Sequence, residues 1–199
     1  MANNPVVTCD EDHVYRAEGV IVPGVTEVLS IFADYARVPR HVLEAKRILG
    51  RAVHRCIELY EAEQLDPDSV DDAVMPYLEG WIRLRNDMPG YVFAAEEIIY
   101  HRKYGFAGRL DINYALKRDD SLWQWDVKCV DTMSDATALQ TSAYQEAWND
   151  GHPDQKITKR AGVQLRPDGT YRFHVYKERS DFGVFLNALN LKRWMMNHR

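Results

Sequence analysis

Cysteine is scarce in this chain of 199 residues: Cys9, Cys56 and Cys129 stand far apart, with no CxxC pair among them. That spacing excludes the paired thiolates of a zinc site and leaves no four-cysteine set for an iron–sulfur cluster. Long hydrophobic runs are missing too, so no segment of about 18 apolar residues reads as a membrane span. The opening MANNPVVTCDEDH has neither a basic nor an apolar leader region, and the expected location is the cytoplasm. Repeats, low-complexity tracts and long linkers are lacking, which favours a single domain over 1–199. What is there suits a packed core: 46% of residues are hydrophobic, with eleven Tyr and five Trp.

Net positive charge is also absent. The formal charge is −5, unfavourable for a partner as anionic as nucleic acid, but its distribution is uneven. Arg37, Arg40, Lys46, Arg47, Arg51 and Arg55 face one acid, Glu44, whereas acids crowd the stretch from Glu58 to Asp72. Two solvated faces would give the same pattern, so the basic segment raises the case for nucleic acid only slightly.

Val14 to Val22 reads as a short hairpin, and PGVTEVLSIFADY as a turn and a helix capped at Thr26. Val42, Ala45, Leu49, Val53, Cys56 and Tyr60 recur at spacings of three and four, predicting a long helix over about 40–63 that Gly50 weakens. Ser69 is expected to cap a third helix reaching about Arg85, with Val70, Val74, Tyr77, Leu78, Trp81 and Leu84 inside. Three strands are expected near 91–101, 106–117 and 122–130, the last two joined by the KRDDS turn. SDATALQTSAYQEAWNDG follows as a helix capped at Ser134 or Asp135. RAGVQLRP and TYRFHVYKE flank Asp168-Gly169 as a hairpin. A last helix starts near Ser180, with Phe182, Phe185, Leu186, Leu189 and Trp194 as core residues. The pattern is one α/β domain: a helical part over about 24–88, a sheet core over about 91–178 and a C-terminal helix over about 180–198.

Two strands carry charges that such a sheet does not need. Alternation in QWDVKCV puts Gln124, Asp126 and Lys128 on one face and Trp125, Val127 and Cys129 on the other. In GRLDINY it groups Arg109, Asp111 and Asn113 against Leu110, Ile112 and Tyr114. A turn centred near residue 119 brings Asp111 opposite Asp126 or Lys128. Two carboxylates about 4 Å apart repel by roughly 1 kcal/mol in water and several times that near protein. Mg²⁺ or Mn²⁺ relieves such a pair, and a lysine two residues away can orient water or offset phosphate charge. The alternative is a half-exposed face on which Asp and Lys are solvated and joined by a salt bridge. Gln140 and Tyr144 lie four apart beside Ala136, Ala143 and Ala147, so the glutamine needs a partner on a small-residue face. His54 shares a helix face with Gly50 and Glu58, away from the apolar stripe.

In order, GRAVH on a helix, a glutamate before the second strand, GxxGRLD, D-x-K in a strand and QxxxY on the next helix form one series. The series resembles the PD-(D/E)xK nuclease superfamily, in its RecB-like branch that includes phage λ-type exonucleases. The motifs cover about residues 50–145, and VPGVTEVL and GVQLRPDGTYRFHVY look like phage-associated members. The resemblance implies a mixed central β-sheet flanked by helices on a restriction-endonuclease-like α-β-β-β-α-β core. It implies a metal-dependent deoxyribonuclease using one or two Mg²⁺ or Mn²⁺ ions. Asp111 and Asp126 match the metal-binding acids, the Val127 carbonyl a further ligand, Lys128 the catalytic lysine and His54 the helical histidine. Glu96 is taken as the upstream glutamate, although Glu97 adjoins it. Gln140 and Tyr144 match the supporting, DNA-contacting motif, with Arg51, Arg55, Arg109 and the Lys156, Lys159, Arg160 group as backbone contacts. Many relatives hold an iron–sulfur cluster; with three cysteines, none is expected here. The proline before the first aspartate is replaced by Leu110, as is common in this branch. By analogy the action is exonucleolytic, in phage-type recombination or DNA-end processing, with DNA and a phage-type single-strand annealing protein as partners and an oligomer like the ring-forming relatives. The rivals are a structure- or site-specific endonuclease and a noncatalytic nucleic-acid-binding protein of the same fold.

Overall fold

The computed structural model describes residues 5–32 and 38–198. The end of the first expected helix, residues 33–35, and Arg37 lie outside the described residues. Short strands β1 (Val7–Cys9), β2 (Tyr15–Ala17) and β3 (Val20–Val22) open the chain as an antiparallel sheet. Helix α1 (Val25–Leu29) follows Gly24; Thr26 lies inside its first turn and does not cap it, because the chain is already helical at Val25.

Helix α2 (Arg40–Glu61) forms as its periodicity predicts, starting after Pro39 and burying Val53, Cys56 and Ile57. It stops where Glu63 turns to a left-handed φ of +56°. Ser69 caps no helix. It ends a 3-10 turn (Pro67–Ser69) and donates to the Asp66 carbonyl, while α3 (Met75–Asp87) begins only after a second turn set by Asp71.

Each of the first two expected strands is broken in two. The elements are β4 (Gly90–Ala95), β5 (Ile98–His101), β6 (Phe106–Arg109) and β7 (Ile112–Leu116), and only β8 (Leu122–Lys128) runs unbroken. Then come α4 (Ala136–Gly151), β9 (Lys159–Leu165), β10 (Tyr171–Tyr176) and α5 (Asp181–Asn197). At the start of α4 the Ser134 hydroxyl accepts from the Ala136 N–H, whereas the Asp135 side chain makes no cap bond. The Asp168-Gly169 hairpin forms as expected, with Gly169 at φ +73°.

The central sheet has the order β10-β9-β8-β7-β4 and is mixed: β8 and β9 are parallel, the other pairs antiparallel. Helices flank it on both sides, and α2, the strands β4, β7 and β8, α4 and β9 give the expected α-β-β-β-α-β core. One face packs on α2 and α3 around Trp125, whose ring stacks on Tyr114 at 4.1 Å and meets the edge of Trp81 at 6.1 Å. A second core gathers α1, α4, α5 and the β5–β6 hairpin around Phe106, Leu110, Tyr144 and Phe185. Trp194 is 59% exposed on the last turns of α5 and takes no part in either core.

Alternation therefore fails at one place that matters. Leu110 belongs to the second core but Ile112 to the first, although they share a parity, because the chain leaves the strand at Leu110–Asp111. The glycine just before that break is tightly used: a Cβ on Gly108 would lie 2.6 Å from Cε1 of the buried Tyr144 ring. Gly108→Ala is expected to lower unfolding free energy by about 1–3 kcal/mol, the range for overpacking a filled core. Denaturant melts would measure it, and an unchanged midpoint would show that Tyr144 yields freely.

Candidate active site

The break at Asp111 places its carboxylate between the two layers. The Asp111 carbonyl accepts from the Glu96 N–H at 2.9 Å, and Leu110 N–H donates to the Glu97 carbonyl at 3.0 Å, so the strands on either side bend together. The Asp111 Oδ2 accepts from the Val127 N–H at 2.7 Å, which ties the carboxylate to β8. Glu96 sits at the matching bend with φ +51°, a strained left-handed conformation for a residue with a Cβ. That twist turns its side chain toward α2, whereas Glu97 is exposed.

His54 meets them from α2. Its Nδ1 lies 3.0 Å from Glu96 Oε1 and 3.8 Å from Asp111 Oδ1, and its Nε2 lies 3.0 Å from the Val127 carbonyl oxygen. Burial alone would lower the imidazole pKa, but the Asp111 charge and the Glu96 hydrogen bond outweigh it and raise it to about 9. Ligand atoms of His54, Glu96 and Asp111 all fall within 4.8 Å of one another. Together with Val127 these residues line a void of about 10 Å³, near the room that one water-sized sphere requires. Two carboxylates, one imidazole and a backbone carbonyl suit a hard divalent ion such as Mg²⁺ or Mn²⁺. The donor set fits the metal that the motif series implies.

Asp126 and Lys128 stand beside this group. The register pairs Ile112 with Trp125, which brings Asp111 level with Asp126. Asp126 lies outside the converging trio: fully buried, it meets Lys128 Nζ through Oδ2 at 2.7 Å. The half-exposed, solvated face that the sequence also allowed does not apply to it, because α4 covers that side of β8. Burial raises the Asp126 pKa and Asp111 adds to the rise, against the pull of Lys128. For Lys128, burial lowers the pKa but the charges of Asp126 and Asp111 prevail and raise it, so the ammonium stays charged with 29% of its side chain open to solvent.

Gln140 Nε2 donates to the Tyr144 hydroxyl at 3.0 Å, so the glutamine finds its partner within α4. Burial, with Asp111 and Asp126 nearby, holds the Tyr144 phenol well above its usual range. Arg51, Arg55 and Arg109 line the mouth, a groove of about 330 Å³ that also reaches His54 and Glu96. Arg51 and Arg55 make exposed pairs with Glu44 at 3.7 Å and Glu58 at 2.6 Å, contacts worth little in water. Arg109 has a buried Nε with no hydrogen-bond partner among the described residues. The Lys156, Lys159, Arg160 group does not join them. Lys159 and Arg160 line a larger hollow of about 810 Å³ at the opposite end of β8. Arg160 is buried there by Asp181, the Ala138 and Glu178 carbonyls and Thr141.

The paired bends become visible only in the fold. Ala94 and Ile99 enter the same core at an odd spacing of five, which an unbroken strand cannot place on one face.

The chain is similar in structure to an alkaline exonuclease. The crystal structure of LHK-Exo in complex with dAMP superposes with a TM-score of 0.40 at 13% identity, covering 89% of this chain and 92% of that one. A second structure, the alkaline exonuclease LHK-Exo from Laribacter hongkongensis, gives a TM-score of 0.36 at 14% identity with the same coverage. No family model matches the chain, and no curated protein matches it.

The strained glutamate and the shared imidazole can each be tested. Glu96→Gly relieves the left-handed backbone while losing the His54 contact, so metal-free stability should stay within about 1 kcal/mol of the parent. Mn²⁺ affinity, measured by calorimetric titration, should fall by on the order of tenfold or more. The second concerns pH. The folded His54 pKa of about 9 exceeds the ordinary 6.5, so its stabilising contribution is complete below pH 6.5 and is lost as pH rises through 9. Thermal melts in EDTA should show that decline, and His54→Gln should flatten it.

Proposed function

We propose that this chain is a divalent-metal-dependent deoxyribonuclease that hydrolyses DNA phosphodiester bonds, acting as an exonuclease in phage-type recombination or DNA-end processing. The observation that carries the reading is the convergence of His54, Glu96 and Asp111 within 4.8 Å, beside the Asp126–Lys128 pair. A bound divalent ion supplies Lewis acidity, making a water easier to deprotonate and drawing charge from a phosphoryl oxygen.

The chain's own groups do the rest. His54, Glu96, Asp111 and the Val127 carbonyl would hold the ion, and Asp126 would complete the set for a second one. To serve as a ligand, His54 would have to give up its imidazole proton. Lys128 Nζ, anchored by Asp126 and open at the rim, orients the attacking water and donates to the phosphate. Arg51, Arg55 and Arg109 attract the DNA backbone across the mouth. Gln140 and Tyr144 support the floor under Asp111 and Asp126. The exonuclease mode, an annealing-protein partner and an oligomeric ring rest on the resemblance of the motif series alone.

Linear, nicked and closed circular DNA incubated with Mg²⁺, Mn²⁺ or EDTA should separate the readings. Loss of linear DNA alone, abolished by EDTA, is expected. Conversion of closed circles to linear form would mean an endonuclease, and no degradation with any divalent metal would leave a noncatalytic binder. Asp126→Ala and Lys128→Ala should each lower the rate by at least about a hundredfold; parental rates in either would sink the mechanism.

A further inference from the structure

Lys128 is the last residue of β8, and beyond it the chain has no regular structure until Ala136 opens α4. Asp126 holds the ammonium at 2.7 Å, which leaves the backbone that carries it to be fixed by other groups. The crossover 129–135 also joins the strand of Asp126 and Lys128 to the helix of Gln140 and Tyr144. Its surface anchor is weak: Asp131 meets Lys46 of α2 at 3.2 Å, but the two side chains are 85% and 57% exposed.

Gln164 supplies a buried anchor. Parallel pairing of β8 with β9 sets Gln164 level with Lys128, so the two side chains share a face of the sheet. The Gln164 Nε2 donates to the Val130 and Asp131 carbonyls, each at 2.9 Å, so both amide hydrogens fall on the second and third residues after Lys128. Its Oε1 meets Nε2 of His174, on β10, at 3.0 Å. An amide oxygen only accepts, so that imidazole nitrogen carries a hydrogen and donates it. Turned over, the amide would set oxygen against two carbonyls and N–H against N–H; His174 therefore locks the one workable orientation. Gln124, equally buried on β8, has no partner for either side-chain polar atom among the described residues, so such anchoring is particular to Gln164.

We propose that Gln164, oriented by His174, is a positioning residue for Lys128: by holding the Val130 and Asp131 carbonyls it fixes the exit of β8, and with it the place of the ammonium at the mouth. The inference rests on the nuclease reading, in which Lys128 orients water and donates to phosphate. Neither Gln164 nor His174 lines the void at His54, Glu96 and Asp111, so loosening the exit displaces the lysine without removing an ion ligand.

Turnover of linear DNA in Mg²⁺, calorimetry with Mn²⁺ and amide exchange together test it. Gln164→Met keeps the bulk but offers the two carbonyls no donor, and kcat should fall about ten- to a hundredfold. KM and Mn²⁺ affinity should stay within about threefold, a split that general damage to the fold would not give. Amide exchange over 129–135 should quicken by about tenfold. His174→Phe frees the amide to turn and should lower kcat by a smaller factor, whereas His174→Gln, which can still donate, should keep the parental value. In a Gln164→Met background, His174→Phe should add nothing. The inference is overturned if Gln164→Met turns over at the parental rate, if its kcat and Mn²⁺ affinity fall together, or if exchange over 129–135 is unchanged. Should Gln164→Met fail to fold, a parental kcat in His174→Phe overturns it alone. A parent protein that cleaves no DNA removes the nuclease reading itself, whereas a cleaving parent with an indifferent Gln164→Met removes only this inference.

Discussion

Charge confinement governs this structure. Glu96 and Asp111 converge on His54, with Asp126 and Lys128 beside them, so that three partly or fully buried carboxylates face two cations. Like charges so enclosed are tolerable only if protons or cations offset them. In the metal-free molecule the imidazole proton serves, which is why the pKa of His54 rises despite its burial. With His54 neutral, a dication and Lys128 would together balance the three carboxylates. The same donors thus suit either a proton on His54 or a hard cation among the carboxylates.

The sheet makes this confinement geometrically available. Two continuous strands would have alternated their side chains strictly, sending Asp111 to the α4 side with Asn113 and away from His54. Bending both strands at the same level frees Asp111 from alternation and sets Glu96 beside it. Backbone hydrogen bonds across the bend, Glu96 to Asp111 and Leu110 to Glu97, keep the two distortions in step. The left-handed backbone at Glu96 is stored strain of a kind that cores avoid and functional sites retain.

Local chemistry made much of this legible. The spacing along α2, the Asp168-Gly169 turn and the run of β8 follow from periodicity and turn residues, and these elements appear where expected. The residues that converge on the mouth were also readable as a series, because each type has a reason to be there. What was hidden depends on tertiary context. Hydrophobicity along 91–117 reads as two strands, since each half of a bent strand is as apolar as a straight one. Choosing Glu96 over Glu97 needs the backbone twist, which residue type does not reveal. Arg160 looked like a surface cation, and only the fold shows the carbonyls and Asp181 that enclose it.

The paired bend also joins two bodies of unequal burden. Beyond it, the β5–β6 hairpin packs in the second core with α4, while before it β4 and β7 belong to the central sheet. Glu96 and Asp111 occupy the elbow of that joint. One angle, that of the hairpin against the sheet, thereby sets the direction of both side chains, and the packing of the second core holds it.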